Sequence, residues 1–160
     1  MRRKDREITQ PSQILDIVRR CEVCRLAMHD GEYPYIVPMN FGMTESEGQV
    51  VLYFHCASAG KKLDLLRTNP HVAFEMDCDC EIASIPDQGD CTMTFRSVMG
   101  QGIVTFVEGE EKLRALDLLV SRYHPEGFNW DRSYIPATTV LKLTVHTMTA
   151  KHRPDPRKKL

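Results

Sequence analysis

No stretch of this sequence approaches the roughly twenty apolar residues that a membrane-spanning helix needs. No apolar run follows the basic start that would make residues 1–8 a signal peptide. The expected compartment is the cytoplasm. An excess of charge of one sign is also missing: 21 Lys and Arg against 22 Asp and Glu leave a formal net charge of −1. Neither nucleic acid nor an anionic membrane is therefore an expected partner. Internal repeats and low-complexity tracts are absent. A complete dinucleotide fingerprint is absent too. Gly100-Gln101-Gly102 supplies two glycines, but position 105 is Thr105 and no strand–helix–strand unit surrounds it.

What is present reads as one globular domain spanning residues 1–160, with 42 % hydrophobic and 27 % charged residues. Residues 1–11 and 152–160 read as flexible arms. Six cysteines occur, at 21, 24, 56, 78, 80 and 91, and in the expected compartment they stay reduced. Cys21-x-x-Cys24 with Cys78-x-Cys80 admits a four-sulfur zinc site on paper. Zinc knuckles, however, sit on turns, whereas Cys24 lies in an apolar strand-like run and Cys78 and Cys80 alternate with Asp77, Asp79 and Glu81. Small, partly buried thiols are the plainer reading.

Periodicity and punctuation predict a helix over 13–20 capped by Ser12, a strand over 22–29, and a turn at His29-Asp30-Gly31-Glu32. The next strand, 33–41, carries Pro34 and Pro38. It belongs at an edge or bulge, with one side free, because proline donates nothing to a ladder. Thr44 to Gln49 reads as a loop before a third strand. Further strands are expected at 71–77, 91–107 (kinked at Gly100 and Gly102) and 138–148, and a helix over 109–123. The acidic, cysteine-containing segment before residue 91 reads as loop or lid. The sum is an antiparallel barrel of about six strands flanked by helices.

The chain is organised around residues 53–70. An apolar strand ends at Tyr53-Phe54-His55-Cys56, small residues 57–60 make a turn, and a short helix opens on Lys61-Lys62 before Asn69-Pro70 stops it. A helix start presents unpaired N–H groups and a positive dipole end, which attract anions. Two lysines there oppose the dipole by a few tenths of a kcal/mol unless something negative binds. A phosphate site is one reading, and a solvated pair of surface lysines is the other.

These residues occur together in a recognisable order. Arg25-Leu26-Ala27-Met28, the strand Tyr33 to Gly42, Leu52-Tyr53-Phe54-His55-Cys56-Ala57, Gly60-Lys61-Lys62-Leu63, Asn69-Pro70-His71-Val72, and Arg96-Ser97-Val98 with Gly100 and Gly102 resemble the FMN-binding split-barrel family. The resemblance is to its pyridoxamine 5′-phosphate oxidase-related branch, of the nitroimidazole-resistance type. It implies a six-stranded split barrel and a homodimer with FMN in sites shared between subunits. It implies that Lys61 and Lys62 hold the flavin phosphate, and that Pro38, Met39 and Asn40 line the ring edge. His55 and Cys56 fall beside the flavin, Ser97 makes a polar contact, and Lys151 approaches the partner's flavin, with Trp130 as a possible ring cover. His55 is the one candidate catalytic residue, because an imidazole can donate or accept a proton beside a reduced flavin. The other five histidines are assigned to structure or surface.

The implied function is a flavin-dependent reductase of electron-poor small molecules such as nitroaromatics. A non-catalytic FMN-binding or storage protein and a pyridoxamine 5′-phosphate oxidase-like oxidase are the alternatives. The arginine-containing segment with which the oxidases bind substrate has no match in His152-Arg153-Pro154-Asp155, which counts against the last.

Overall fold

The computed structural model describes residues 3–86, 89–124 and 126–158. Eight strands form one antiparallel sheet: β1 (Glu7–Ile8), β2 (Cys24–Asp30), β3 (Tyr33–Met39), β4 (Gly42–Ser46), β5 (Gln49–Ala57), β6 (His71–Ile85), β7 (Asp90–Val107) and β8 (Thr138–Arg153). Three helices accompany them: α1 (Pro11–Arg20), α2 (Lys61–Thr68) and α3 (Gly109–Tyr123). The strand order is β3-β2-β6-β7-β8-β5-β4, with β1 paired to β8. Its two end strands, β3 and β4, are joined only by Asn40 and Phe41. From Met39 to Gly42 the chain reaches at most about 11 Å. A flat sheet of seven strands would hold its edges about 29 Å apart. The sheet therefore curls until its edges meet at a seam, which makes it a split barrel.

Alternation along the strands fills the inside. Leu26, Phe54, Phe74, Met76, Val98, Leu141 and Leu143 point inward and are at most 3 % exposed. Ile17 and Val18 of α1 and Leu63 and Leu66 of α2 join the same core. A second, smaller core lies outside the barrel, where Ala115, Leu116 and Leu119 of α3 cover Val107 and Val140. The glycines of β7 are there for close approach. A Cβ on Gly100 would strike the Phe74 ring, and one on Gly102 would meet Leu143 at 2.8 Å and the Thr144 carbonyl. The register shifts between Gln101 and Gly102, at the expected kink.

Several expectations need correction. The antiparallel split barrel is as expected, but among the described residues its strands number eight rather than about six. The segment read as a loop at 44–49 is the β4–β5 hairpin, with Ser46 paired to Gln49. The acidic segment read as a lid is the outer half of the β6–β7 ladder, with a register shift between Cys78 and Glu81 and Asp79 at φ 56°. The first helix begins at Pro11, its N1 residue, so that Gln10 rather than Ser12 occupies the N-cap position, without a side-chain capping bond. Part of each expected arm is ordered. Glu7 and Ile8 pair with Lys151 and Ala150, and β8 runs on through Arg153 into a 3-10 turn at Pro156–Lys158. Residues 1, 2, 159 and 160, with the rest of the expectation for the arms, lie outside the described residues, as does Pro125 in the turn after α3.

Candidate functional site

The site is built at the seam. β3 is an edge strand, paired on one side only, to β2, as its two prolines require. Its end is held by α3. The Tyr123 hydroxyl donates to the Glu22 carbonyl at 2.7 Å and accepts from the Phe41 N–H at 3.0 Å. Asn40 donates its amide to the same Glu22 carbonyl at 3.1 Å. Arg122 donates to the Val18, Arg19 and Cys21 carbonyls at the end of α1 (3.2, 3.1 and 2.6 Å) and stacks 4.3 Å from the Phe41 ring. Those are acceptors a helix end otherwise leaves open.

α2 starts without a side-chain cap. Gly60 precedes it at φ 135°, a conformation that favours glycine, with nothing within 4 Å of where a Cβ would stand. The first backbone bonds back to Gly60 come from Leu63 and Asp64, which leaves the Lys61 and Lys62 N–H groups at the open helix end. Beside them lies a cavity of about 180 Å³ lined by Tyr35, Cys56, Ala57, Gly60, Lys61 and Lys62, among others. Lys61 is paired with Asp30 at 2.5 Å and lies 5.2 Å from the Tyr35 ring centre. Lys62 approaches two sulfur groups, Met39 Sδ at 3.5 Å and the Cys56 thiol, both weak acceptors.

His55 and Cys56 stand at the end of β5 on opposite faces. Cys56 faces the lysines, and burial raises its pKa while Lys62 opposes the rise. His55 is on the outer face and exposed by accessible area. The protein around its ring still lowers its pKa, and the Lys62 charge adds to that; the exposure keeps the effect modest. His55 and Asn40 lie on the wall of a second, larger cavity of about 570 Å³, closed by α3 and the segment that follows it.

Seven of the nine expected binding residues therefore gather at the seam: Pro38, Met39, Asn40, His55, Cys56, Lys61 and Lys62. Ser97 and Lys151 do not join them. They face each other across β7 and β8; β8 adjoins β5, but His55 pairs with Val140, so Lys151 lies eleven residues further along β8, or about 36 Å of extended strand. Trp130 lines the larger cavity.

Sequence reasoning missed Tyr35 in the smaller cavity. In the larger it missed Tyr123, Phe128, Tyr134 and His124. His124, assigned to structure or surface, is stacked on Phe128 with ring centres 4.1 Å apart and lines the cavity. The one available signal was the density of aromatic residues between 123 and 134. Among the described residues no three His, Cys, Asp or Glu side chains are placed to hold a metal ion, and no helix is long and apolar enough to cross a membrane.

A split antiparallel barrel with a basic helix start at its seam defines a class of protein, and comparison with known proteins specifies it. The family model described as pyridoxamine 5′-phosphate oxidase matches residues 10–152. The chain belongs to that flavin-binding family. A crystal structure of a proposed 5-nitroimidazole antibiotic resistance protein from Bacteroides thetaiotaomicron is 30 % identical over 91 % of this chain and 86 % of that one, with a TM-score of 0.78. The flavocytochrome Anf3 from Azotobacter vinelandii is 20 % identical (98 % of this chain, 73 % of that one, TM-score 0.78). An FAD and heme binding protein from Mycobacterium smegmatis is 19 % identical (92 % and 73 %, TM-score 0.76). These last two share the fold. No curated protein matches the sequence.

Proposed function

We propose that this chain binds FMN at the seam and works as a flavin-dependent reductase of electron-poor small molecules, nitroaromatics among them. The observation that carries the reading is the start of α2. Two open N–H groups, a glycine with clear space beside it, and Lys62 with only sulfur partners among the described residues (the Met39 thioether and the Cys56 thiol) converge on one small cavity. That donor set fits a phosphate. The main chain of Pro38, Met39 and Asn40 and the end of β5 would flank the ring. FMN supplies the electron chemistry when bound. The chain's own part is to orient it and to hold a proton at the His55 imidazole, which faces the adjoining cavity. The nitroimidazole-resistance description of the 30 % identical structure favours nitro compounds as substrates.

The purified protein should be yellow and release FMN on denaturation, identified by mass; FAD released instead would change the cofactor. Under anaerobic conditions the dithionite-reduced protein should be reoxidised by a nitroaromatic. A protein that binds flavin but passes no electrons would be a carrier.

The second part of the reading is a homodimer in which Ser97 and Lys151 serve the partner's flavin. Support comes from the division of the expected residues into two distant groups and from the sheet's outer face, where Ile36 and Met99 are 56 % and 55 % exposed. If flavin bridges two chains it tightens their association. Sedimentation with and without FMN checks this, and a flavin-loaded monomer would remove any role for Lys151.

A further inference from the structure

We propose that the 570 Å³ cavity beside His55 is a substrate site selective for planar aromatic rings that carry no negative charge. This rests on the flavin reading above and adds which molecules reach His55. The volume is that of a small-molecule site. Leu116, Leu119 and Val120 of α3 form one wall, Trp130 and Tyr134 another, and His55 and Asn40 lie at the β5 and β3 ends. Trp130 has its N–H committed outside the cavity, donating to Asp117 at 2.9 Å, and Arg132 holds the same carboxylate at 2.9 Å. Arg132 also stands over the indole, 5.2 Å from its ring centre, so what Trp130 has left to offer a guest is the ring face that the guanidinium does not cover, and rings stack on such surfaces.

The charge of the lining is the decisive feature. Among the described residues no Lys or Arg borders the cavity, and Asp131 is its one carboxylate, accepting from the Ser133 N–H at 2.9 Å. Burial and Lys62 favour the neutral form of His55. A carboxylate or phosphate entering here would lose water, meet no Lys or Arg and face Asp131, with the His55 and His124 imidazoles the groups on the wall that can carry a positive charge. The cations are beside α2 instead, in the smaller cavity. The chain thus sorts its ligands, with the anionic group on one side of the β5 end and the uncharged ring on the other. A phosphorylated pyridine, the substrate in the family's name, is the wrong guest for the larger cavity.

Trp130 is the sole tryptophan of the chain, so tryptophan emission reports on this cavity and on the neighbouring one that Trp130 also borders. In flavin-free protein, nitrobenzene should quench it at about tenfold or more lower concentration than 4-nitrobenzoate, the same ring with a negative charge, once the solution quenching of each by free tryptophan is subtracted. Val120→Phe, which fills the cavity, should weaken nitrobenzene about tenfold and leave FMN uptake unchanged. Should that variant fail to fold, Asn129→Lys at an exposed position should narrow or reverse the preference. Equal quenching by both probes, or quenching indifferent to these variants, overturns the proposal. Loss of FMN affinity in folded Val120→Phe also overturns it, because the flavin ring would then fill the cavity. A wild type that takes up no flavin yet discriminates between the probes rejects the flavin reading and keeps the cavity.

Discussion

Two groups of basic residues, one at the outer β6–β7 ladder and one at the seam, use their charge differently. At the outer half of the β6–β7 ladder, Arg20 and Arg96 grip opposite oxygens of the Asp79 carboxylate at 2.6 and 2.5 Å, and Arg25 pairs with both Glu75 and Asp77. These pairs hold α1 and β2 to β6. The loose end there is Arg153 Nε, which is buried without a partner. At the seam, Lys61 has one partly exposed carboxylate and Lys62 two sulfur neighbours, the Met39 thioether and the Cys56 thiol. The first arrangement spends its charges on structure. The second keeps a cation in reserve beside an open helix start, which is what a site for an anion requires. Counting basic residues does not separate the two regions; asking what each one already touches does.

The largest way to test that contrast is to remove the reserve. Lys61→Ala with Lys62→Ala deletes charge-assisted hydrogen bonds worth about 1.5–3 kcal/mol each. FMN affinity should fall by roughly two orders of magnitude or more. Circular dichroism should be unchanged, because long side chains on a first turn bury little. Unchanged flavin occupancy would place the anion elsewhere. The mirror experiment is Asp79→Ala. It should cost about 1–2 kcal/mol in urea unfolding, from two partly exposed pairs and a left-handed residue, and leave FMN binding alone.

Asp79 also predicts a pH dependence. Hydrogen bonds from Arg20 and then Arg96 outweigh burial and hold its pKa below the ordinary value. Its stabilisation is complete above the carboxylate's unfolded pKa of about 3.9 and is lost as pH falls through the lower folded value. Asp79→Asn should flatten that acid limb. His55 gives a finer test. Burial and then Lys62 depress its pKa, so a rate that needs its proton should rise only below about pH 6.5. Lys62→Met should move that midpoint upward, as read by imidazole NMR titration. The smallest expected effect is Asp30→Asn. Removing the carboxylate that competes for Lys61 should tighten FMN by a few-fold, and weaker binding would mean Asp30 orients the lysine for its ligand.

Much of this was legible in the sequence wherever the information is local. α2 and α3 fall where expected because Gly60, Asn69-Pro70 and Gly109 punctuate them, and the prolines of β3 announce an edge. The lysine pair was legible because site and signal share one turn. The outer β6–β7 ladder was not. It has little core to face: from Asp77 through Ile85 only Ala83 is buried, so no apolar alternation marks it, and pairing with Asp90 to Arg96 holds it extended. β4 escaped for the same reason, being buried only at Gly42. The larger cavity draws on residues from 40 to 138, a conjunction that exists only once the barrel has curled.

That seam bears on how the protein behaves in a crowd. An open sheet of seven strands would present two unsatisfied edges, each a template for a strand from another molecule. Here the short link through Asn40 and Phe41 turns the edges toward each other, and Pro34 and Pro38 remove two donors from the edge that remains. The chain can keep a gap wide enough for a ligand without offering a stranger's backbone a place to pair. Replacing both prolines with residues that restore the N–H groups should leave the monomer folded and raise its tendency to form fibres.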